Sequence, residues 1–165
     1  MATITFQGKP LHTSGELPLV GSKAPDFSLA NGKLEDVSLA TYAGKTKVLN
    51  IVPSLDTPTC AASTRKFNEK AAHFHNTVVL VISADLPFAQ CRFCEIEDLT
   101  HVIPLSTFRS SFADDYGVKL VNTFLAGLTA RAVIIIDEHD NVIYTELVSE
   151  LANEPDYESA LLALK

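Results

Sequence analysis

The spacing of apolar and polar positions changes near Lys47. Before it, Thr3–Phe6 alternates polar and apolar residues, and Gly8-Lys9-Pro10 and Ser14-Gly15-Glu16 supply turn chemistry. That pattern predicts a hairpin within residues 1–19, laid over the main body. Phe27 and Leu29 alternate with polar neighbours in another short strand. After Lys47 the runs become continuous. Val48–Val52, Thr77–Ser83, Val102–Ser106 and Ala132–Ile136 read as strands, and Cys60–Phe74, Pro87–Leu99, Arg109–Tyr116 and Pro155–Leu164 as helices. Val142–Leu147 follows the polar turn Asp137–Asn141 and predicts an antiparallel hairpin with Ala132–Ile136.

Apolar strands without alternation must be covered on both faces, so the pattern predicts an α/β sheet with parallel pairing at its centre and the hairpin at one side. Strand, helix, strand, then helix, hairpin and final helix is the order of a thioredoxin-like fold. The 165 residues predict one domain over residues 1–165, large enough to bury roughly 70% of its surface without disulfide staples.

Charge narrows the partners. The net charge is −7, and Asp137–Glu158 holds eight acids with no Lys or Arg. Such a surface repels phosphate backbones, so no nucleic acid partner is expected. No apolar run approaches a membrane span, and no basic segment leads into an apolar one at the N-terminus. A reducing cytoplasm is the expected compartment, which makes Cys60, Cys91 and Cys94 the residues to explain.

Cys60 lies in Pro53-Ser54-Leu55-Asp56-Thr57-Pro58-Thr59-Cys60, between an apolar strand and a helix. Proline is favoured at the first helical position, which makes Thr57 the N-cap and places Cys60 in the first turn. The Thr57 hydroxyl is then expected to accept from the Cys60 N–H. Unpaired N–H groups and the positive end of the helix dipole favour a thiolate there. The competing reading is a packed core cysteine, since Cys60, Thr64, Phe67, Ala71 and Phe74 recur at helical spacing. The Thr-Pro-x-Cys cap favours the nucleophile.

Cys91-Arg92-Phe93-Cys94 is formally a C-x-x-C pair, but it falls inside a predicted helix rather than at its start, where a reductase pair is activated. A zinc site needs four ligands and finds only this pair, the distant Cys60, and His73, His75 or His101 as completions. His12 and His139 read as solvated turn residues. A third reading joins the regions: a sulfenic acid formed on Cys60 by a peroxide condenses with one thiol of the pair. Strict disulfide geometry then demands local unfolding of a helix.

Pro53-x-x-x-Thr57-x-x-Cys60 resembles the peroxidatic motif of the peroxiredoxins. Lys47–Ile51, Ser83–Gln90, Arg92-Phe93-Cys94, Leu105–Arg109, Ala126–Val133 and Glu154–Glu158 resemble the family's bacterial thiol peroxidase branch. The resemblance implies a thioredoxin-like fold with an N-terminal hairpin, a homodimer, and an atypical two-cysteine cycle. By position, Cys60 is then peroxidatic, Thr57 and Pro53 shape its pocket, Cys94 is resolving, and Arg131 stabilises thiolate and peroxide. Hydrogen peroxide and alkyl or lipid hydroperoxides as substrates, and thioredoxin as electron donor, are implied in the same way. No metal, flavin or nucleotide cofactor is required, and no Gly-rich phosphate loop is present. Two positions depart from the pattern: Cys91 adds a thiol, and Glu95 follows Cys94 where a glycine is expected. Rival functions are acyl transfer from Cys60, which needs a histidine base beside it, and a non-enzymatic redox or zinc module.

Overall fold

A computed structural model describes residues 1–71 and 73–165. Its main sheet has seven strands: β3 (Leu29–Ala30), β4 (Asp36–Val37), β5 (Thr46–Ile51), β6 (Thr77–Ser83), β7 (Val102–Ser106), β9 (Ala132–Ile136) and β10 (Val142–Leu147). They lie in the order β10-β9-β5-β6-β7-β3-β4. The β5–β6 and β6–β7 pairs are parallel, and β9 and β10 run antiparallel on one side. This is the predicted mixed α/β sheet. An antiparallel pair that the pattern left unread, β3 with β4, completes the opposite edge, where β3 pairs with β7.

Alternation along the strands builds two apolar layers. Leu49, Ile51, Leu80, Ile82, Ile134 and Ile136 face Phe27, Phe112 and Tyr116 on one side of the sheet. Val48, Val52, Val79, Val81, Val133 and Ile135 face Cys60, Phe67 and Ala160 on the other. The second layer is covered by α1 (Pro58–Ala71) and α4 (Tyr157–Leu162), with Phe93 and Cys94 of α2 (Pro87–Ile96) packed at its margin. The short α3 (Phe112–Asp115) belongs to the first layer. Burial on both faces is why these strands need no polar alternation.

Helix ends differ from the periodic reading. Helix α1 is described to Ala71, so Phe74 falls beyond it, and position 72 lies outside the described residues. Helix α2 stops at Ile96, where Asp98 takes a left-handed φ of 53° and the Leu99 N–H returns to the Cys94 carbonyl. The helices expected over Arg109–Tyr116 and Pro155–Leu164 shrink to α3 and α4. The Asp156 carboxylate takes the Ser159 N–H and caps α4, whereas the N-cap of α3, Ser111, makes no side-chain cap and the preceding Ser110 Oγ takes the Phe112 N–H.

The N-terminal hairpin is formed by β1 (Thr3–Phe6) and β2 (Lys9–Thr13). Its turn is Gln7-Gly8, both at positive φ, rather than Gly8-Lys9-Pro10. A two-residue turn of this hand matches strand twist and leaves Lys9 and Pro10 in β2. The hairpin acquires a third strand, β8 (Leu120–Val121), through His12↔Val121 and Thr13↔Leu120. Glu150 fastens it to the body by accepting from the Thr5 hydroxyl at 2.6 Å and the Gln7 N–H at 2.9 Å.

Candidate active site

Strand β5 ends at Ile51, and the chain turns through Pro53 and Ser54 into α1. Pro58 opens the helix, where the absence of an N–H is harmless, and Cys60 occupies its first turn. Cys60 is fully buried, and its carbonyl accepts from the hydroxyls of Ser63 at 3.1 Å and Thr64 at 2.8 Å. Ser63 Oγ is in turn 3.4 Å from the Nδ2 of buried Asn50, which points from β5 into the α1 layer. Pro53 is buried and Thr57 is exposed.

The expected cap is corrected here. The Thr57 hydroxyl does not take the Cys60 N–H; it donates to the Ser54 carbonyl at 3.0 Å. The Thr57 N–H also points to that carbonyl, at 3.3 Å, so a tight turn at Ser54–Thr57 claims the hydroxyl before the helix can use it.

Arg131 sits one residue before β9, and strand alternation places it on the face of Val133 and Ile135, the face that α1 covers. Its side chain is buried at 2% exposure. Nε donates to the Leu151 carbonyl at 3.0 Å, and Nη1 is buried with no partner. The neighbouring Tyr157 packs edge-on against Phe67 of α1, with centroids 5.3 Å apart, and donates to Glu154 at 2.8 Å. Burial and the Glu154 carboxylate raise the Tyr157 pKa, with the Arg131 charge pulling only partly against them.

The two cysteines of α2 have different surroundings. Cys94 packs against the same apolar layer as Cys60. Burial, reinforced by the charge Cys91 can carry, pushes its pKa up to about 11. Cys91 turns to the β3–β4 connection, where its thiol lies 4.0 Å from the Gly32 carbonyl oxygen. All three cysteines are free thiols. Among the described residues no group of His, Cys, Asp or Glu is arranged to hold a metal ion, and no histidine is hydrogen-bonded to Cys60.

Over Thr57 opens a cleft of about 800 Å³ between the start of α1 and one side of α2, lined by Leu55, Pro58, Phe88, Phe93 and Ile96 with Arg92 beside them. Phe88 and Ile96 are 68% and 70% exposed. Sequence reasoning missed one centre altogether. Asp85 accepts from the Ser54 hydroxyl and the Leu55 N–H, both at 2.8 Å, and so holds the segment that carries Cys60. Nothing in the local spacing marks Asp85, because its partners are about thirty residues away and meet only through β5–β6 pairing.

The chain is similar to known proteins along nearly its whole length. Residues 19–161 match the Redoxin family model. The chain is 52% identical to the thiol peroxidase of Corynebacterium glutamicum over 164 residues, covering 99% of both. It is 53% identical to the thiol peroxidase of Mycobacterium tuberculosis at the same coverage. The crystal structure of a peroxiredoxin-like protein from Aquifex aeolicus superposes with a TM-score of 0.94 at 37% identity, over 99% of this chain and 96% of that one. No helix of the described residues is long and apolar enough to cross a membrane. The chain thus belongs to the redoxin family, among the peroxiredoxin enzymes of the thiol peroxidase branch.

Proposed function

We propose that this peroxidase reduces hydrogen peroxide and organic hydroperoxides by a two-cysteine cycle within one chain. The observation that carries the reading is the buried Cys60 in the first turn of α1, on the sheet face where Arg131 keeps a buried N–H unpaired. The Cys60 thiolate attacks the terminal peroxide oxygen, forming the S–O bond as the O–O bond breaks. The leaving alkoxide or hydroxide takes a proton and departs as alcohol or water. Arg131 and the first-turn N–H groups stabilise the charge as it moves between oxygens. Pro53 and Thr57 shape the approach, and the apolar cleft over Thr57 suits the tail of an organic hydroperoxide.

Cys94 then attacks the sulfur of the Cys60 sulfenic acid. The S–S bond forms, the S–O bond breaks, and water leaves. Two features support Cys94 over Cys91 as the resolver: it shares the Cys60 layer, whereas Cys91 faces Gly32. Thioredoxin, a dithiol, would reduce the disulfide by exchange and return both thiols. No resident cofactor enters this scheme. The reading extends to a cytoplasmic homodimer, for which the acidic, thiol-bearing chain and its family give the support.

Stopped-flow oxidation tests the first step. Cys60 should react with hydrogen peroxide orders of magnitude faster than free cysteine at the same pH, and an equal rate overturns the reading. Mass spectrometry of the oxidised protein should find a Cys60–Cys94 link; a Cys60–Cys91 link overturns the resolver.

A further inference from the structure

Between the segment bearing Cys60 and the helix bearing Cys94 runs a chain of hydrogen bonds centred on Asp85. One carboxylate oxygen accepts from the Ser54 hydroxyl at 2.8 Å. The other accepts from the Leu55 N–H at 2.8 Å and the Ser83 hydroxyl at 2.7 Å. Ser83 Oγ also accepts from Gln90 Nε2 at 3.0 Å, and the same Nε2 donates to the Leu105 carbonyl at 2.8 Å. Ser83 and Gln90 are buried at 0% and 1% exposure. The Ser106 hydroxyl donates to the Asp85 carbonyl and pins the main chain from the next strand. Gln90 immediately precedes Cys91 and lies one helical turn before Cys94. Its Oε1 is buried with no partner, so this end of the chain is held through a single amide nitrogen.

We infer that Asp85 is a positioning residue that latches both cysteine-bearing segments in the docked arrangement, and that its bonds must release before the Cys60–Cys94 disulfide can close. The inference rests on the two-cysteine reading above. Three donors converge on two oxygens of one carboxylate, and hydrogen bonds to a charged acceptor are the strong kind. While they hold, Ser54 and Leu55 keep the turn into α1 in place for attack on peroxide. The branch through Ser83 and Gln90 also holds α2, in which Cys94 is a free thiol not bonded to Cys60. The latch therefore favours the first chemical step and opposes the second.

Asp85→Asn leaves one acceptor where three donors meet and turns an NH2 group toward one of them. It should slow Cys60 oxidation about tenfold, the loss expected for weakened bonds to a charged group, and speed disulfide closure by several fold. Ser83→Ala breaks the link from Asp85 to Gln90 and leaves the Ser54 hydroxyl and the Leu55 N–H on the Asp85 carboxylate. It should speed closure while leaving peroxide attack within about twofold. Quenched-flow mass spectrometry with hydrogen peroxide separates the steps, since the sulfenic acid gains one oxygen and the disulfide loses water.

Opposite movement of the two rates supports the latch, whereas a purely structural Asp85 moves both down together or neither, and either result overturns it. Should Asp85→Asn fail to fold, Ser83→Ala and Ser54→Ala decide the matter. Hydrogen exchange reads the latch apart from chemistry. Residues 54–57 and 87–94 should both lose protection in Asp85→Asn, and only 87–94 in Ser83→Ala. Unchanged protection overturns the latch even in an active enzyme. An unsubstituted protein with an inert Cys60 would instead overturn the peroxidase cycle, with the exchange result still standing.

Discussion

The Nε of Arg131 donates to the Leu151 carbonyl at 3.0 Å, and this bond sets the guanidinium with its Nη1 buried and unpaired. A buried donor without a partner costs about 1–3 kcal/mol, and the surrounding fold must absorb that cost. A peroxide oxygen or an anionic sulfur would remove the penalty, more so as charge develops.

Arg131→Met should therefore lower the rate of Cys60 oxidation by about two to three orders of magnitude, the scale of losing one donor that stabilises developing charge. The melting temperature should stay near that of the unsubstituted protein, because the change also deletes an unmatched buried group. Arg131→Lys keeps the charge but not the fork, and one ammonium cannot serve both Leu151 and a substrate as the planar group does. It should fall between the two. Stopped-flow rates together with thermal melts check this; a folded Arg131→Met protein with the original rate removes Arg131 from the mechanism.

Much of the sheet was legible because the central strands are apolar on both faces and the polar turn Asp137–Asn141 marks the hairpin: β6, β7, β9 and β10 begin and end where the pattern places them. The placement of Pro58 and Cys60 in the first turn of α1 was legible because proline at a helix start is a local signal, although the side-chain cap expected from Thr57 was not formed. Long-range features were not. The pairings of β3 with β4 and of β8 with β2 involve two residues each, too short for periodicity to register. The direction of the Thr57 hydroxyl depends on a competing turn carbonyl at Ser54. Arg131 looks like any strand-end charge until burial is known, and Asp85 is one acid among several until β5 and β6 pair.

Cys91 and Gly32 form a second pair whose coupling can be measured. A Cβ added at Gly32 would lie 2.6 Å from the Cys91 sulfur, closer than real contacts allow. Gly32→Ala should destabilise the protein by about 1 kcal/mol as the thiol is driven from its seat. In a Cys91→Ala background most of that cost should vanish, because the clashing atom is gone. Denaturant unfolding of the four proteins in reducing buffer gives the coupling. Additive effects would mean that the β3–β4 connection, not the thiol, resists the methyl group. Cys91→Ala alone should leave Cys60–Cys94 closure within about twofold, since its sulfur faces away from the cycle.

The pKa of Cys94 ties the resolving step to opening of α2. Burial, and second the charge on Cys91, push it to about 11 from the usual cysteine value of 9.0. The docked helix thus holds the thiol neutral, and an opened helix returns it to its ordinary value. The raised pKa belongs to the docked state, so docking is unaffected below about pH 9. Above it the opened form ionises while the docked form does not, and docking weakens progressively as pH rises through 11. In a Cys60→Ser protein, which cannot form the catalytic disulfide, alkylation by iodoacetamide at pH 8 should be about a hundredfold slower at Cys94 than in the unfolded chain, the factor given by two pKa units. Adding Cys91→Ser removes the smaller contribution and should raise the alkylation rate modestly. In the unsubstituted protein, disulfide closure should accelerate between pH 7 and 9, because the thiolate that attacks forms in the opened helix. A Cys94 that titrates below pH 9 in the folded protein would show that the thiol is ready while docked, and the rate of closure would then lose its dependence on helix opening.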